Sequence, residues 1–280
     1  MTTEGANRAF SSGPRLNNGI TMPWIGLGVF LVREGNEVIH SVKSAIGAGY
    51  RSIDTASVYG NEQGVGQAIR ESGVPREELF VTTKVWNADQ GYESTLKAYE
   101  VSRKKLGLEA IDLYLIHWLV KGKYRETWKA LVHLYQEGHV RAIGVSNFQI
   151  HNLREIIEDT GVVPAVNQVE YHPRLVQREL LTFCREQGIQ LQAYAPLMHG
   201  HLDHPVLARL ATKYGKTMAQ IILRWDIQNG IVTIPKSVNP ERIRQNANVF
   251  DFELSEEDMA TIDALDEGLR YGPHPDHFNR

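Results

Sequence analysis

Seven short apolar runs in this chain each stop at a polar residue able to do chemistry, and each is followed by a helix-like stretch. The runs end at Asp54, Lys84, His117, Ser146-Asn147, Asn167-Gln168, Tyr194 and Pro235-Lys236. Parallel strands joined by helices deliver their C-terminal ends to one face, and a closed barrel of such units keeps its active site there. Strands are predicted to start near residues 26, 51, 79, 111, 140, 165, 189 and 231. Their spacing is 24 to 32 residues, with one interval of 42 before the last. An interval near 30 holds one strand, one helix and two short loops. The pattern predicts an α/β protein, a (β/α)8 barrel of the TIM type.

The runs Ile111 to Ile116 and Val140 to Val145 are nearly continuous in apolar residues, as strands covered on both faces should be. Trp128, Leu131, Val132 and Tyr135 share one face at helical spacing, as do Val38, Val42, Ala45 and Ile46. Asn18-Gly19, between Leu16 and Met22, signals a tight hairpin that would plug the barrel bottom. The long interval carries two helical patterns, His204 to Tyr214 and a second capped by Thr217, so an extra helix follows strand 7. Asn239-Pro240 and Ser255 open two more helices, the last at the C-terminal end. Residues 1–14 read as a flexible leader and residues 15–280 as one barrel domain.

Charge and composition narrow the function classes. The net charge is -3, which advertises neither nucleic acid nor an anionic membrane as a partner. No apolar stretch approaches the roughly 20 residues of a membrane span. Cys184 is the single cysteine, which rules out an intrachain disulfide and a cysteine-rich metal site. Its helical setting predicts a small buried side chain. A cytoplasmic monomer acting on small molecules is expected.

Lys84 ends a strand in what should be barrel core, and a buried ammonium needs a counter-charge. Asp54, ending the preceding strand, is its natural partner. Taken alone, the pair is equally a salt bridge closing the barrel mouth. Tyr59 lies five residues beyond Asp54, in the loop before the next helix. A phenol beside an ammonium is expected to ionise more easily than its reference value of about 10, which suits a general acid. His117 on the next strand adds a donor that could polarise an oxygen. A lone strand-end histidine is more often structural, but four such groups from three neighbouring units favour catalysis.

The segments G-Y-R-S-I-D-T-A-S-V-Y-G-N-E, T-K-V-W, D-L-Y-L-I-H-W, I-G-V-S-N-F, N-Q-V-E-Y-H-P and I-P-K-S occur in that order over about Leu16 to Leu265. In order and spacing they resemble the aldo-keto reductases, in particular bacterial short-loop members that reduce glyoxal, methylglyoxal and diketo-gluconate. The resemblance implies NADPH-dependent reduction of a carbonyl to an alcohol, with Asp54, Tyr59, Lys84 and His117 as the catalytic tetrad. It assigns Ser146, Asn147 and Gln168 to the nicotinamide carboxamide and Tyr194 to the nicotinamide face. Ala195 and Leu197 follow in the same cofactor-binding loop. Lys236, Ser237 and Arg242 would hold the 2′-phosphate, with Gln245 and Asn246 near the adenine. Gln245 stands where the family usually has glutamate. Leu119 replaces a proline common after the His-Trp pair, which puts the following loop's shape in question.

No G-x-G-x-x-G follows a strand, so a Rossmann-type cofactor site is not supported. Gly26, Gly28, Gly64 and Gly66 are assigned to close packing. Trp24, Phe30, Trp86 and Trp118, with His117, are the candidate substrate wall, although Trp24 and Trp118 could equally be packing residues. The short segment Val120 to Tyr124 suggests an open site for small, varied aldehydes. His199, His201 and His204 lack an acidic ligand at matching spacing, and no metal is expected. Two other readings stay open. Lys84 could be a Schiff-base nucleophile of an aldolase, or the chain could be a redox sensor that binds NADPH without turnover.

Overall fold

The computed structural model describes residues 10–278. Eight parallel strands follow one another around the molecule in sequence order. They are β1 (Leu27–Gly28), β2 (Ser52–Asp54), β3 (Phe80–Val85), β4 (Ile111–Ile116), β5 (Val140–Ser146), β6 (Val166–Glu170), β7 (Gln190–Tyr194) and β8 (Val232–Thr233). The sheet closes on itself through parallel bridges Ile25↔Thr233 and Gly28↔Lys236. Helices separate the strands, and the extra ones stand where expected: Pro205–Tyr214 after β7 and Glu256–Asp263 near the C-terminal end.

Local chemistry explains the helix starts. Thr217 and Gln220 form a reciprocal capping box before Met218–Gln228. Asn239 caps Pro240–Ala247 with proline at its first position. Ser255 accepts from the Asp258 N–H at the start of Glu256–Asp263. The glycine assignments hold: a Cβ on Gly66 would lie 2.1 Å from the Leu106 carbonyl oxygen, and one on Gly28 would lie 2.9 Å from that of Ile234.

Strand side chains alternate between faces, and this parity sorts the interior. Phe80, Leu113, Leu115, Ala142, Val166 and Val232 form one cluster with Leu16 and Met22 of the N-terminal hairpin. That hairpin turns at Asn18-Gly19, pairs Arg15 with Thr21 and closes the barrel bottom. Val81, Val85, Tyr114, Ile116, Ile143 and Val145 pack outward into the larger cluster beneath the helices. Lys84 keeps the parity of Phe80, and His117 that of Leu113 and Leu115. The face that fills the bottom thus carries polar groups at the mouth.

Two sequence expectations are corrected at the bottom. Phe10 is buried, with its ring 6.1 Å from that of Tyr50 and 5.5 Å from that of Phe250. The packed chain therefore begins by Phe10 rather than residue 15, while positions 1–9 of the expected leader lie outside the described residues. Trp24 packs beside the hairpin cluster, and its carbonyl accepts from the Thr233 N–H. It precedes β1 and so sits at the N-terminal end of the barrel, away from the mouth; it is not part of a substrate wall there. Among the described residues no helix is long and apolar enough to cross a membrane.

Candidate active site

The C-terminal ends of β2, β3 and β4 bring Asp54, Lys84 and His117 together, and the turn Ser57–Tyr59 adds the phenol. Lys84 is fully buried. Its Nζ donates to Asp54 Oδ1 at 2.5 Å and to the Thr55 carbonyl at 2.8 Å. The same ammonium lies 5.1 Å from the centre of the Tyr59 ring. Ser57 Oγ donates to the Lys84 carbonyl, tying the tyrosine loop to β3. The Tyr59 and His117 rings meet edge to face at 5.6 Å.

Burial dominates the electrostatics. It acts to lower the Lys84 pKa, but Asp54 and Tyr59 outweigh it and hold the amine above its ordinary value. Lys84 is therefore an ammonium, which disfavours the Schiff-base reading, since that nucleophile must be neutral. Burial raises the Asp54 carboxyl, with Lys84 and Gln168 pulling the other way. Tyr59 corrects the sequence expectation. Desolvation raises its pKa more than Lys84 lowers it, and the charge on Asp54 adds to the rise. Burial, then the nearby ammonium, push His117 well below the usual imidazole range. At neutral pH the site presents a protonated phenol and a neutral imidazole whose Nδ1 is buried without a partner among the described residues.

An aromatic collar surrounds these groups. Phe30, half exposed, lies 5.1 Å from the Tyr59 ring, and Trp86 lies 5.2 Å from the His117 ring. Trp118 stacks on Phe278 at 4.0 Å. Phe278 was invisible in the sequence because it sits in a tail without periodicity. The tail reaches the mouth because the buried Glu170 carboxylate, ending β6, accepts from the Tyr271 and Gly272 N–H groups at 2.6 and 3.0 Å. His172 contacts the same carboxylate at 3.0 Å.

The other half of the mouth is a continuous polar arc. Ser146 Oγ and the Asn147 N–H both donate to the Gln168 carbonyl. Asn147 adopts the left-handed conformation at φ 63°, donates to the His117 carbonyl and accepts from the Tyr194 hydroxyl. Gln168 Nε2 reaches across the barrel to Asp54 Oδ2 at 2.7 Å. Asn167, of opposite parity, donates to the Phe148 carbonyl and stays out of the site. Beyond Tyr194, Ala195, Met198 and His199 all have positive φ, a strained run for non-glycine residues of the kind that clusters at functional sites. Leu197 anchors this loop on the core. His201 stacks on Tyr271 and His204 caps the next helix; no metal-binding group occurs among the described residues.

Lys236, Ser237 and Arg242 gather around the start of Pro240–Ala247. Lys236 and Arg242 are exposed and form no ion pair within the described residues. At the N-terminus of that helix, Asn239 Oδ1 already accepts from the Glu241 and Arg242 N–H groups. Gln245 is exposed and donates to Glu241, while Asn246 is buried.

A model of the Aldo/keto reductase family matches residues 25–267. The chain is 60% identical over 265 residues to the glyoxal reductase of Bacillus subtilis, covering 94% of this chain and 96% of that protein. It is 47% identical over 269 residues to the methylglyoxal reductase DkgA of Escherichia coli, covering 94% and 97%. Among solved structures, the NADPH complex of a variant of Gox0644 superposes with a TM-score of 0.92 at 44% identity, covering 95% of this chain and 98% of that one. Fold, tetrad geometry and these likenesses agree: the chain belongs to the aldo/keto reductase family.

Proposed function

We propose that this protein reduces small aldehydes and ketones, of the glyoxal and methylglyoxal kind, to alcohols with NADPH. The observation that carries this reading is the buried Lys84–Asp54 pair placed beneath a protonated Tyr59 and a neutral His117. The residues around the arc fit the cofactor. Gln168 and Asn147 offer amide groups, Tyr194 a ring beside them, and Lys236 and Arg242 unpaired positive charge for a phosphate. When bound, NADPH supplies a hydride to the carbonyl carbon.

The chain's own groups handle the oxygen. The His117 imidazole donates a hydrogen bond that orients the carbonyl, and Tyr59 gives its proton to the oxygen as negative charge develops there. Lys84 stabilises the resulting phenolate, and Asp54 keeps Lys84 charged. Phe30, Trp86 and Trp118 shield the reacting carbon from water. The glyoxal and methylglyoxal reductase relatives support a small carbonyl as substrate, and so does the short segment after Trp118.

The test is an NADPH-oxidation assay over glyoxals, aromatic aldehydes and a bulky steroid ketone, with Tyr59→Phe alongside. Small carbonyls should be preferred, and the variant should lose roughly 10²- to 10⁴-fold in kcat, the range for a general acid, while still binding NADPH. Strong preference for the steroid would sink the substrate assignment. Absence of turnover on every carbonyl would favour the sensor reading.

A further inference from the structure

Gln192 lies on β7, wholly buried, and faces Gln168 in the β6–β7 register. The direction of each hydrogen bond around it follows from what the atoms can do. Asp54 spends Oδ1 on the Lys84 ammonium and is left with Oδ2 as an acceptor. The Gln168 atom beside Oδ2 must therefore be the amide nitrogen. That nitrogen gives its second proton to Gln192 Oε1 at 2.8 Å. Both protons are then committed, and among the described residues no group donates to the Gln168 Oε1.

Gln192 itself gains little from this arrangement. Its Nε2 is buried with no partner among the described residues, which is unfavourable in a protein interior. An apolar residue would fill the same space without that cost. What an apolar residue cannot supply is the acceptor facing Gln168. A carboxamide is nearly symmetric in shape, so its partners rather than its packing decide which end points where.

We propose that Gln192 is a positioning residue for cofactor binding. Together with Asp54 it holds the Gln168 carboxamide in one orientation, with Oε1 presented to the N–H of the nicotinamide carboxamide. This inference rests on the assignment of Gln168 to the cofactor made above.

The test measures NADPH dissociation constants by quenching of tryptophan fluorescence, together with the Tm of the ligand-free proteins. The variants are Gln192→Met, Gln168→Met, the double variant and Gln192→Glu. Gln192→Met should weaken NADPH binding about three- to tenfold, as loss of one hydrogen bond does, with the carbonyl KM at saturating NADPH unchanged. Acting through Gln168, it should add nothing in the Gln168→Met background. Gln192→Glu, which stays protonated without a counter-charge and keeps an acceptor oxygen, should restore affinity to within about twofold. If Gln192→Met does not fold, Gln192→Val, suited to a strand, removes the same acceptor and is read the same way. Normal NADPH affinity in the position-192 variant beside weak binding by Gln168→Met overturns the proposal alone, as does full additivity in the double variant. Normal binding by Gln168→Met overturns the cofactor assignment beneath it.

Discussion

Two fields oppose each other at Tyr59, and their balance sets the pH behaviour. The ammonium of Lys84 favours the phenolate; burial and the negative Asp54 favour the phenol, and they win. A general acid works in its protonated form, so a raised pKa moves the loss of activity further to the alkaline side. His117 is displaced the opposite way, and its neutral form persists into mildly acidic solution. The expected kcat/KM for carbonyl reduction is level across the neutral range and declines only above about pH 10, the reference value for a phenol. A pH–rate profile measured against methylglyoxal checks this, and an alkaline decline near pH 7 would contradict it. The sequence placed Lys84 beside Tyr59 but carried no account of desolvation, which depends on everything packed around the pair.

At the level of elements, the site relies on one helix start and one tail. Pro240–Ala247 was legible from Asn239-Pro240, a purely local signal, and so was the cluster of Lys236, Ser237 and Arg242. Arg242→Ala should raise the KM for NADPH about tenfold, the cost of one charged hydrogen bond, and leave that for NADH nearly unchanged. Equal effects on both cofactors would remove the 2′-phosphate assignment. The tail had no readable pattern, because its conformation is imposed by a distant acceptor. Burial acts to raise the Glu170 pKa, but bonds from His172, Tyr271 and Gly272 prevail and keep it below the usual carboxylate range. Glu170→Gln weakens those bonds, so hydrogen exchange over residues 268–278 should accelerate. The KM for aromatic aldehydes should rise severalfold as the Phe278–Trp118 stack loosens, on the order of one aromatic pair. Unchanged exchange in the tail would show that Glu170 does not anchor it.

Across the whole molecule, one buried carboxyl links stability to pH. Asp226 is fully buried; among the described residues its carboxyl accepts only from the Thr233 hydroxyl and Oδ1 has no partner. Burial holds its pKa well above the carboxylate range. Its folded form thus keeps a proton that the unfolded chain releases above about pH 3.9. The sign follows: the proton's contribution is complete below that value and is lost as pH rises toward the folded pKa. Asp226→Asn should therefore raise Tm at pH 8 by about 2 °C or more, with a smaller gain at pH 4. An equal gain at both pH values would deny the linkage. Barrel, hairpin plug and strand starts were readable in advance because each rests on short-range periodicity or a turn signal. The sequence by itself determined that Asp54, Lys84 and His117 stand at strand ends, with Tyr59 in the loop after Asp54, because strand parity and βα spacing are local properties. Only the tertiary structure decided that Trp24 belongs to the bottom, that Phe10 is packed, that Phe278 reaches the mouth and that Tyr59 stays protonated. Each of those depends on contacts between residues far apart in sequence and on the low-dielectric surroundings they create.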